Sequence, residues 1–269
     1  MGDQIGVALE GEMYFVGLDQ FEYILASDLH KNKKVELFAS LARLNTLYMI
    51  AKAGSGHIGS SFSSMEIISY IYINEIYDSK DKMSPNIFFS SKGHDAPGLY
   101  SALIGLNRLD FSFLHKLRRI DGLPGHPDIS TPNIVTNTGS LGMGISKAKG
   151  MILANRKQSK ESYVFVLTGD GELQEGQFWE SLVSAANNNL EELIVIIDHN
   201  KLQSDTLLEN VSHLGDLESK LKSFHWNVLR CDGNNVEELS EAIDQAKLTS
   251  KKPTIIIADT IKGKGVSFM

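Results

Sequence analysis

The chain has 269 residues, carries 33 carboxylates against 26 lysines and arginines for a formal charge of −7, and is 42% hydrophobic with one cysteine. That length suits one large α/β domain with a sizeable core, and the acidic balance counts against a nucleic-acid groove or an anionic membrane surface, since both need clustered cations. Cys231 has no second cysteine to pair with, no apolar run reaches membrane-spanning length, and Met1-Gly2-Asp3-Gln4 lacks the basic segment of a signal peptide, so a reducing, cytoplasmic setting is expected.

In chain order, residues 1–33 show weak periodicity and mixed charge and read as an N-terminal extension of unknown role, with one domain over 34–269. Leu37, Leu41, Leu44, Leu47, Tyr48 and Ile50 recur at near-helical spacing, which predicts an amphipathic helix over 34–53 ended by Gly54-Ser55-Gly56-His57. Ser63 and Glu66 have capping-box spacing ahead of a helix over 67–76. A short strand at 87–89 and a helix over 96–106 follow, then a long loop over 110–138 containing Pro124, Pro127 and Pro132. Ordered loops of that length in compact domains are commonly functional. Beyond a helix over 145–155, strictly apolar runs at 163–168, 193–198, 228–230 and 254–258 alternate with helical stretches at 177–187 and 236–248. This alternation predicts an α/β fold: a doubly wound, mostly parallel sheet with helices on both faces.

Two of the buried-type strands end in oxygen-bearing side chains: one runs into Gly169-Asp170-Gly171, the other into Asp198-His199-Asn200. Neighbouring parallel strands bring Asp170 and Asn200 to the carboxyl edge, where open α/β sheets bind ligands. Hard oxygen donors suit Mg2+ or Ca2+, which bind diphosphates while keeping open coordination positions. A lone Gly-Asp-Gly is ordinarily a tight turn; the Asn closing the next strand tips the reading toward a site. His57, His94 and His126 each directly follow a glycine outside helix interiors, which points to a polar pocket where imidazoles either move protons or hold hydroxyls. The missing partner cysteine and His-x3-His spacing count against zinc. Thr138-Gly139-Ser140-Leu141-Gly142-Met143-Gly144 is a glycine-rich turn at a helix start, suited equally to an anion and to close helix packing; its order reverses the dinucleotide fingerprint. Glu172 and Glu175 open the segment after Gly171, where carboxylates are ordinarily dipole partners, although Glu175 is in position to face a ligand on the strand ends. Lys262 and Lys264 follow the last strand and either lie in solvent or meet a substrate oxygen.

Ser55-Gly56-His57, Ser91-Lys92-Gly93-His94, Gly122-Leu123-Pro124-Gly125-His126-Pro127, the glycine-rich turn at 138–144, and Gly169 through Gly176 with Asn200 form one collinear series. The series, from about residue 34 to the end, resembles the transketolase family in its amino-terminal, diphosphate-binding half. The resemblance implies thiamine diphosphate and a divalent cation, used to move a two-carbon ketol unit from a ketose or its phosphate to an aldose. It implies metal binding by the Asp170 and Asn200 side chains and the Leu202 carbonyl. Cofactor contacts would come from His94, Gly139, Ser140, Leu141, Gly169, Gly171, Glu172 and Asn200. His57, His94 and His126 would surround the reacting carbons with Lys262, and Glu175 would join a carboxylate network at a dimer interface. Two departures stand out: Ile58-Gly59 replaces the commoner Pro-Gly after the first His, and His199 sits where many relatives have an acidic residue or Asn. In the family, the glutamate that activates the aminopyrimidine and the arginines that grip sugar phosphates belong to a second domain. The expectation is therefore one subunit of a two-gene transketolase, or the front half of a longer chain, silent without a pyrimidine-binding C-terminal partner and assembled as a dimer or α2β2. A 1-deoxyxylulose-phosphate synthase, a 2-oxo acid dehydrogenase component and a catalytically silent scaffold are the alternatives, with Pro124-Gly125-His126-Pro127 pointing away from the dehydrogenases.

Overall fold

Five of the apolar runs pair side by side as parallel strands: β1 (Ile87–Ser90), β2 (Val164–Gly169), β3 (Leu193–His199), β6 (Asn227–Asp232) and β7 (Thr254–Asp259), in the order β1-β2-β3-β7-β6. A two-stranded antiparallel turn, β4 (Leu202–Gln203) with β5 (Thr206–Leu207), follows β3. The computed structural model describes residues 13–77, 84–203, 206–267 and 269; the first twelve residues of the expected extension lie outside the described residues. The three central strands β2, β3 and β7 read as unbroken apolar runs because both faces of the sheet are covered. On one face Phe165, Leu167, Ile194, Ile196 and Ile256 pack against α2 (Lys31–Ala53), α4 (Met65–Ile71), α5 (Ala96–Gly105) and α10 (Val236–Lys247). On the other, Val164, Val166, Val195, Ile197 and Ile257 meet α6 (Gly144–Lys157), α7 (Gly176–Asn187) and α9 (Leu217–Ser223). The doubly wound α/β expectation holds. Among the described residues no helix is long and apolar enough to cross a membrane.

Local details depart from the periodicity reading. In α2 the expected Tyr48 and Ile50 are buried, together with Val35, Phe38, Ala39, Ala42, Arg43, Asn45, Thr46 and Met49, while Leu44 and Leu47 are 53% and 41% exposed. The helix buries small and polar residues because other helices, α1 (Leu18–Ala26), α4, α5 and α10 among them, close on it from several sides, and Ser101 Oγ of α5 donates to Ala42 O at 2.8 Å. Residues 13–26 are anchored on the same side. Asn45 Oδ1 accepts from Val16 N at 2.7 Å, and Phe21 of α1 is fully buried edge-on against Phe38 with ring centroids 5.0 Å apart, a burial worth about 2–3 kcal/mol.

The capping box does not form. After α3 (Ile58–Ser63), Ser63 Oγ donates to Asp198 and Glu66 pairs with Arg43, so both side chains are drawn into buried charge pairing instead of the helix start. The helix expected over 67–76 ends at Ile71 and continues as one π-helical turn, Tyr72–Ile76. The segment after Gly171 is a 3-10 turn, Gly171–Gln174, with α7 starting only at Gly176; Glu175 is extended between them. The long loop over 110–138 is irregular apart from a 3-10 turn at Phe111–His115, and a four-residue helix, α8 (Leu208–Val211), follows β5.

Candidate active site

Register sets the floor of the site. Gly169 of β2 aligns with Asp198 of β3, and Asp198 with Ala258 of β7, so residues 170, 200 and 260 leave the sheet together at its carboxyl edge. Asp170 is 2% exposed; its Oδ1 accepts from Gly171 N at 2.9 Å and its Oδ2 from Lys201 N at 2.6 Å. Lys201 holds φ at +64°, a left-handed conformation that costs a non-glycine residue of order 1 kcal/mol and turns consecutive amides inward. The next amide, Leu202 N, donates to Asn200 Oδ1 at 3.1 Å. Side-chain oxygens of Asp170 and Asn200 thus converge on one two-residue turn. Burial, and then the Asp198 carboxylate nearby, push the Asp170 carboxyl up to about 6, the signature of an acidic oxygen whose charge is undercompensated by the protein. Among the described residues no group of three or more His, Cys, Asp or Glu forms a metal cluster. The available donors are one carboxylate, one amide oxygen and backbone carbonyls, a hard set that fits Mg2+ or Ca2+.

Behind these oxygens lies a buried ion network that the sequence did not announce. Lys92 is 1% exposed; its Nζ reaches Asp198 Oδ2 at 2.6 Å, Ser60 O at 3.1 Å, Ser64 Oγ at 3.3 Å and Asp95 Oδ2 at 3.6 Å. Asp198 also accepts from Ser63 Oγ at 2.7 Å, from Thr260 Oγ1 and from Asn200 Nδ2 at 3.2 Å. Burial alone would raise its carboxyl, but Lys92 and the hydroxyl donors outweigh that and hold it below the ordinary range. Lysines in loops are ordinarily solvated, so Lys92 entered the sequence reading only as a member of the Ser91-Lys92-Gly93-His94 motif, with no buried role. Asp198 did carry a signal: it stands two residues before Asn200, and strand residues i and i+2 share a face.

The imidazoles gather on the same edge. His57 and His94 are edge-on with ring centroids 5.3 Å apart. The His94 Nδ1–H donates to Lys92 O at 2.9 Å, which leaves Nε2 as the lone-pair nitrogen. Burial, and then the Lys92 cation, lower the His94 pKa to about 4, so the ring is neutral at physiological pH. Gly93 at φ +70° is a position for glycine alone, because a Cβ there would lie 2.7 Å from the Gly139 backbone and 3.0 Å from His126 Cδ2. Gly139 in turn lies against the His126 ring, and the His126 carbonyl is tied to Tyr100 OH at 3.1 Å. Lys262 arrives from the other side, its Cε where a Gly59 side chain would begin, beside the His57 helix start. His57, His94, His126, Gly139 and Lys262 therefore share one surface, with His57 and His126 exposed and His94 and Lys262 half-buried.

The glycine-rich turn is pinned from below. Glu172, 2% exposed, accepts from Gly142 N at 2.8 Å, from Ser91 Oγ and from Gly169 N at 3.4 Å. Its carboxyl is raised by burial against the opposing pull of these donors. Ser140 is exposed and Leu141 half-buried on the turn, while Thr138 Oγ1 is buried with no hydrogen-bond partner among the described residues. Glu175 is exposed, its Cβ against Gly142. The His199 Nδ1–H donates to Asp259 Oδ1 at 2.8 Å, and Arg230 grips the same carboxylate at 2.6 and 2.9 Å.

Known proteins are similar to this chain in sequence and fold. Residues 35–268 match the family described as transketolase, thiamine diphosphate binding domain. A 6-deoxy-6-sulfo-D-fructose transketolase subunit from a Clostridium species is 38% identical over 240 residues, 86% of each chain. One of the subunits of an apulose-4-phosphate transketolase from Actinobacillus succinogenes is 36% identical over 219 residues, 80% of this chain and 79% of that one. Human transketolase is 37% identical over 247 residues, but these span only 39% of its length. Among solved structures, transketolase from Leishmania mexicana superposes with a TM-score of 0.81 at 28% identity, covering 87% of this chain and 37% of that one.

Proposed function

The chain belongs to the transketolase family, matching its thiamine diphosphate binding domain, and from that premise we propose that its carboxyl edge binds thiamine diphosphate with Mg2+ or Ca2+ for ketol transfer in concert with a partner subunit. The observation that carries this reading is the convergence of the Asp170 and Asn200 oxygens on the turn at 201–202, beneath a glycine turn and three imidazoles. Asp170 and Asn200 hold the cation through their side chains and Leu202 through its carbonyl. The backbone of Gly139, Leu141 and Gly171 approaches the diphosphate, with Ser140 and Gly169 alongside. Glu172 acts from beneath, holding the turn through Gly142 N. The unpartnered Thr138 Oγ1 beside Gly139 is consistent with a ligand-facing hydroxyl.

Bound thiamine diphosphate supplies the electron sink for making and breaking the carbon–carbon bond. The chain supplies orientation and proton handling. Neutral His94, with Nδ1–H fixed on Lys92 O, offers Nε2 as an acceptor for a sugar hydroxyl or a proton. His57 and His126, exposed on the same edge, hold further hydroxyls, and Lys262 adds a cation beside them. Exposed Glu175 borders the glycine turn and belongs to an interface carboxylate network.

The chain spans most of the split subunits it matches but 39% of human transketolase, which supports a pyrimidine-binding C-terminal partner and an α2β2 assembly or dimer. The substrates are a ketose or ketose phosphate donor and an aldose acceptor; the two subunit relatives differ in their sugars, and the donor follows from the partner. A buried, unreactive Cys231 thiol, pushed up to about 12 by burial, suits a reducing cytoplasm. Calorimetry with Mg2+ and thiamine diphosphate tests the reading. Wild type should bind, more tightly with the partner subunit, and Asp170→Ala should lose at least a hundredfold, about 3 kcal/mol. Binding that survives Asp170→Ala, or ketol transfer by the rigorously purified chain alone, sinks it.

A further inference from the structure

Asn200 has two chemically different ends and nothing in its own shape decides which one faces the cation. A carboxylate only accepts hydrogen bonds, so the Asn200 amide turns its Nδ2 toward Asp198 Oδ2, at 3.2 Å. The opposite end, Oδ1, is thereby sent to the turn at 201–202, where it takes Leu202 N while Asp170 Oδ2 takes Lys201 N. Asp198 is itself locked. It is fully buried, and Lys92 Nζ, Ser63 Oγ and Thr260 Oγ1 fix both of its oxygens. Lys92 in turn joins three pieces of the edge: the helix after His57 through Ser60 O, the end of β3 through Asp198, and His94, whose Nδ1 rests on the Lys92 carbonyl.

We propose that Asp198, paired with Lys92, is a positioning residue that sets the orientation of the Asn200 amide, so that oxygen and not nitrogen is presented to the cation; this rests on the cation site proposed above. Neither residue touches the cation. Outer partners that orient a metal ligand typically govern 10- to 100-fold in metal affinity.

The test separates orientation from folding. Removing one partner of the Lys92–Asp198 contact would leave the other without it, so the variant is the neutral pair Lys92→Met with Asp198→Asn, which lets residue 198 donate as well as accept and leaves Asp95 on Ser90 Oγ. In the full chain with its partner subunit, titrated with Mg2+ in the presence of thiamine diphosphate, the neutral pair should bind the ion about 10- to 100-fold more weakly than wild type. Adding Asn200→Asp should restore affinity to within about fivefold, because a carboxylate presents an oxygen whichever way it turns. Thermal unfolding of each variant without ligand is recorded alongside, and a purely structural role would lower it without any rescue of affinity by Asn200→Asp. Wild-type affinity in the neutral pair overturns the proposal alone, as does a loss that Asn200→Asp fails to recover. Wild type that binds no Mg2+ removes the cation site itself and the proposal with it. The wild-type side-chain amide of Asn200 gives a reading free of variants: its protons should exchange slowly with solvent and its resonance should shift on Mg2+ addition, and fast exchange overturns the assigned orientation.

Discussion

The two ends of the central sheet hold charges in opposite ways. At the amino end, a cleft of about 850 Å3 is lined by Glu75, Asn86, Arg156, Tyr163, Glu192 and Lys247 among others. Two ion pairs cross its wall within reach of water, Lys247 with Glu75 at 2.7 Å and Arg156 with Glu192 at 2.6 Å, beside Lys160, Glu161 and Glu191. At the carboxyl end, Asp170 and Asp198 are both buried near each other with one lysine between Asp198 and Asp95, and the Asp170 carboxyl rises to about 6. In this open cleft the acids and bases are interspersed and solvated, and none of its groups is buried against a like charge. The carboxyl edge is tighter, with undercompensated acid oxygens, inward amides and strained backbone, and perturbed groups of this kind cluster at functional sites.

Substitutions can break or sharpen this contrast. The largest effect on folding is expected from Gly93→Ala, which combines a left-handed φ with a clash against the Gly139 backbone and should cost about 2–4 kcal/mol. Denaturant unfolding measures it, and a loss under about 0.5 kcal/mol would mean that the loop yields freely. Asp170 makes stability depend on pH. Its folded pKa of about 6 exceeds the ordinary 3.8, so between these values the folded chain holds a proton that the unfolded chain has released. Its contribution to the stability of the cofactor-free chain should be full below about pH 4 and fall by about 1–3 kcal/mol as pH rises through 6, opposed over the same window by His94, whose pKa lowered to about 4 favours folding as pH rises. Comparison of wild type with Asp170→Asn isolates the contribution: the variant should lose the Asp170 part of the slope and melt higher than wild type at pH 7, while binding of Mg2+ with thiamine diphosphate is lost. An unchanged slope in thermal melts from pH 4 to 7 would assign it to other groups. The smallest effect belongs to the amino end: Arg156→Ala removes a half-exposed pair and should cost about 1 kcal/mol or less, with cofactor binding untouched. A loss of cofactor affinity there would show the two ends to be coupled.

How much of this was legible beforehand varies by residue. The apolar strands, their order of alternation with helices, and the Asp170 and Asn200 pairing at the strand ends followed from uninterrupted hydrophobic runs and their last residues. The three histidines that follow glycines, His57, His94 and His126, lie on one surface, where Gly93 approaches the His126 ring, whereas Gly56 packs on Ile50 and Gly125 on Arg118. Periodicity failed in α2, where Leu44 and Leu47 face outward and Asn45 and Thr46 face in. Its rule assumes a helix against one apolar wall, and this helix is contacted on several sides. The capping-box reading of Ser63 and Glu66 failed for a related reason: their partners, Asp198 and Arg43, stand 135 and 23 residues away.

By itself the sequence determined the doubly wound scaffold, the glycine positions and the oxygen donors at two strand ends, because each depends on residue type and on neighbours a few positions off. Only the tertiary structure decided that Lys92 would be buried, that Glu172 would brace the glycine turn and that Lys92, Ser63 and Thr260 would lock Asp198. Those roles arise from groups 30 to 135 residues apart meeting in a low-dielectric interior, where partners must be found in space and sequence spacing gives no account of them.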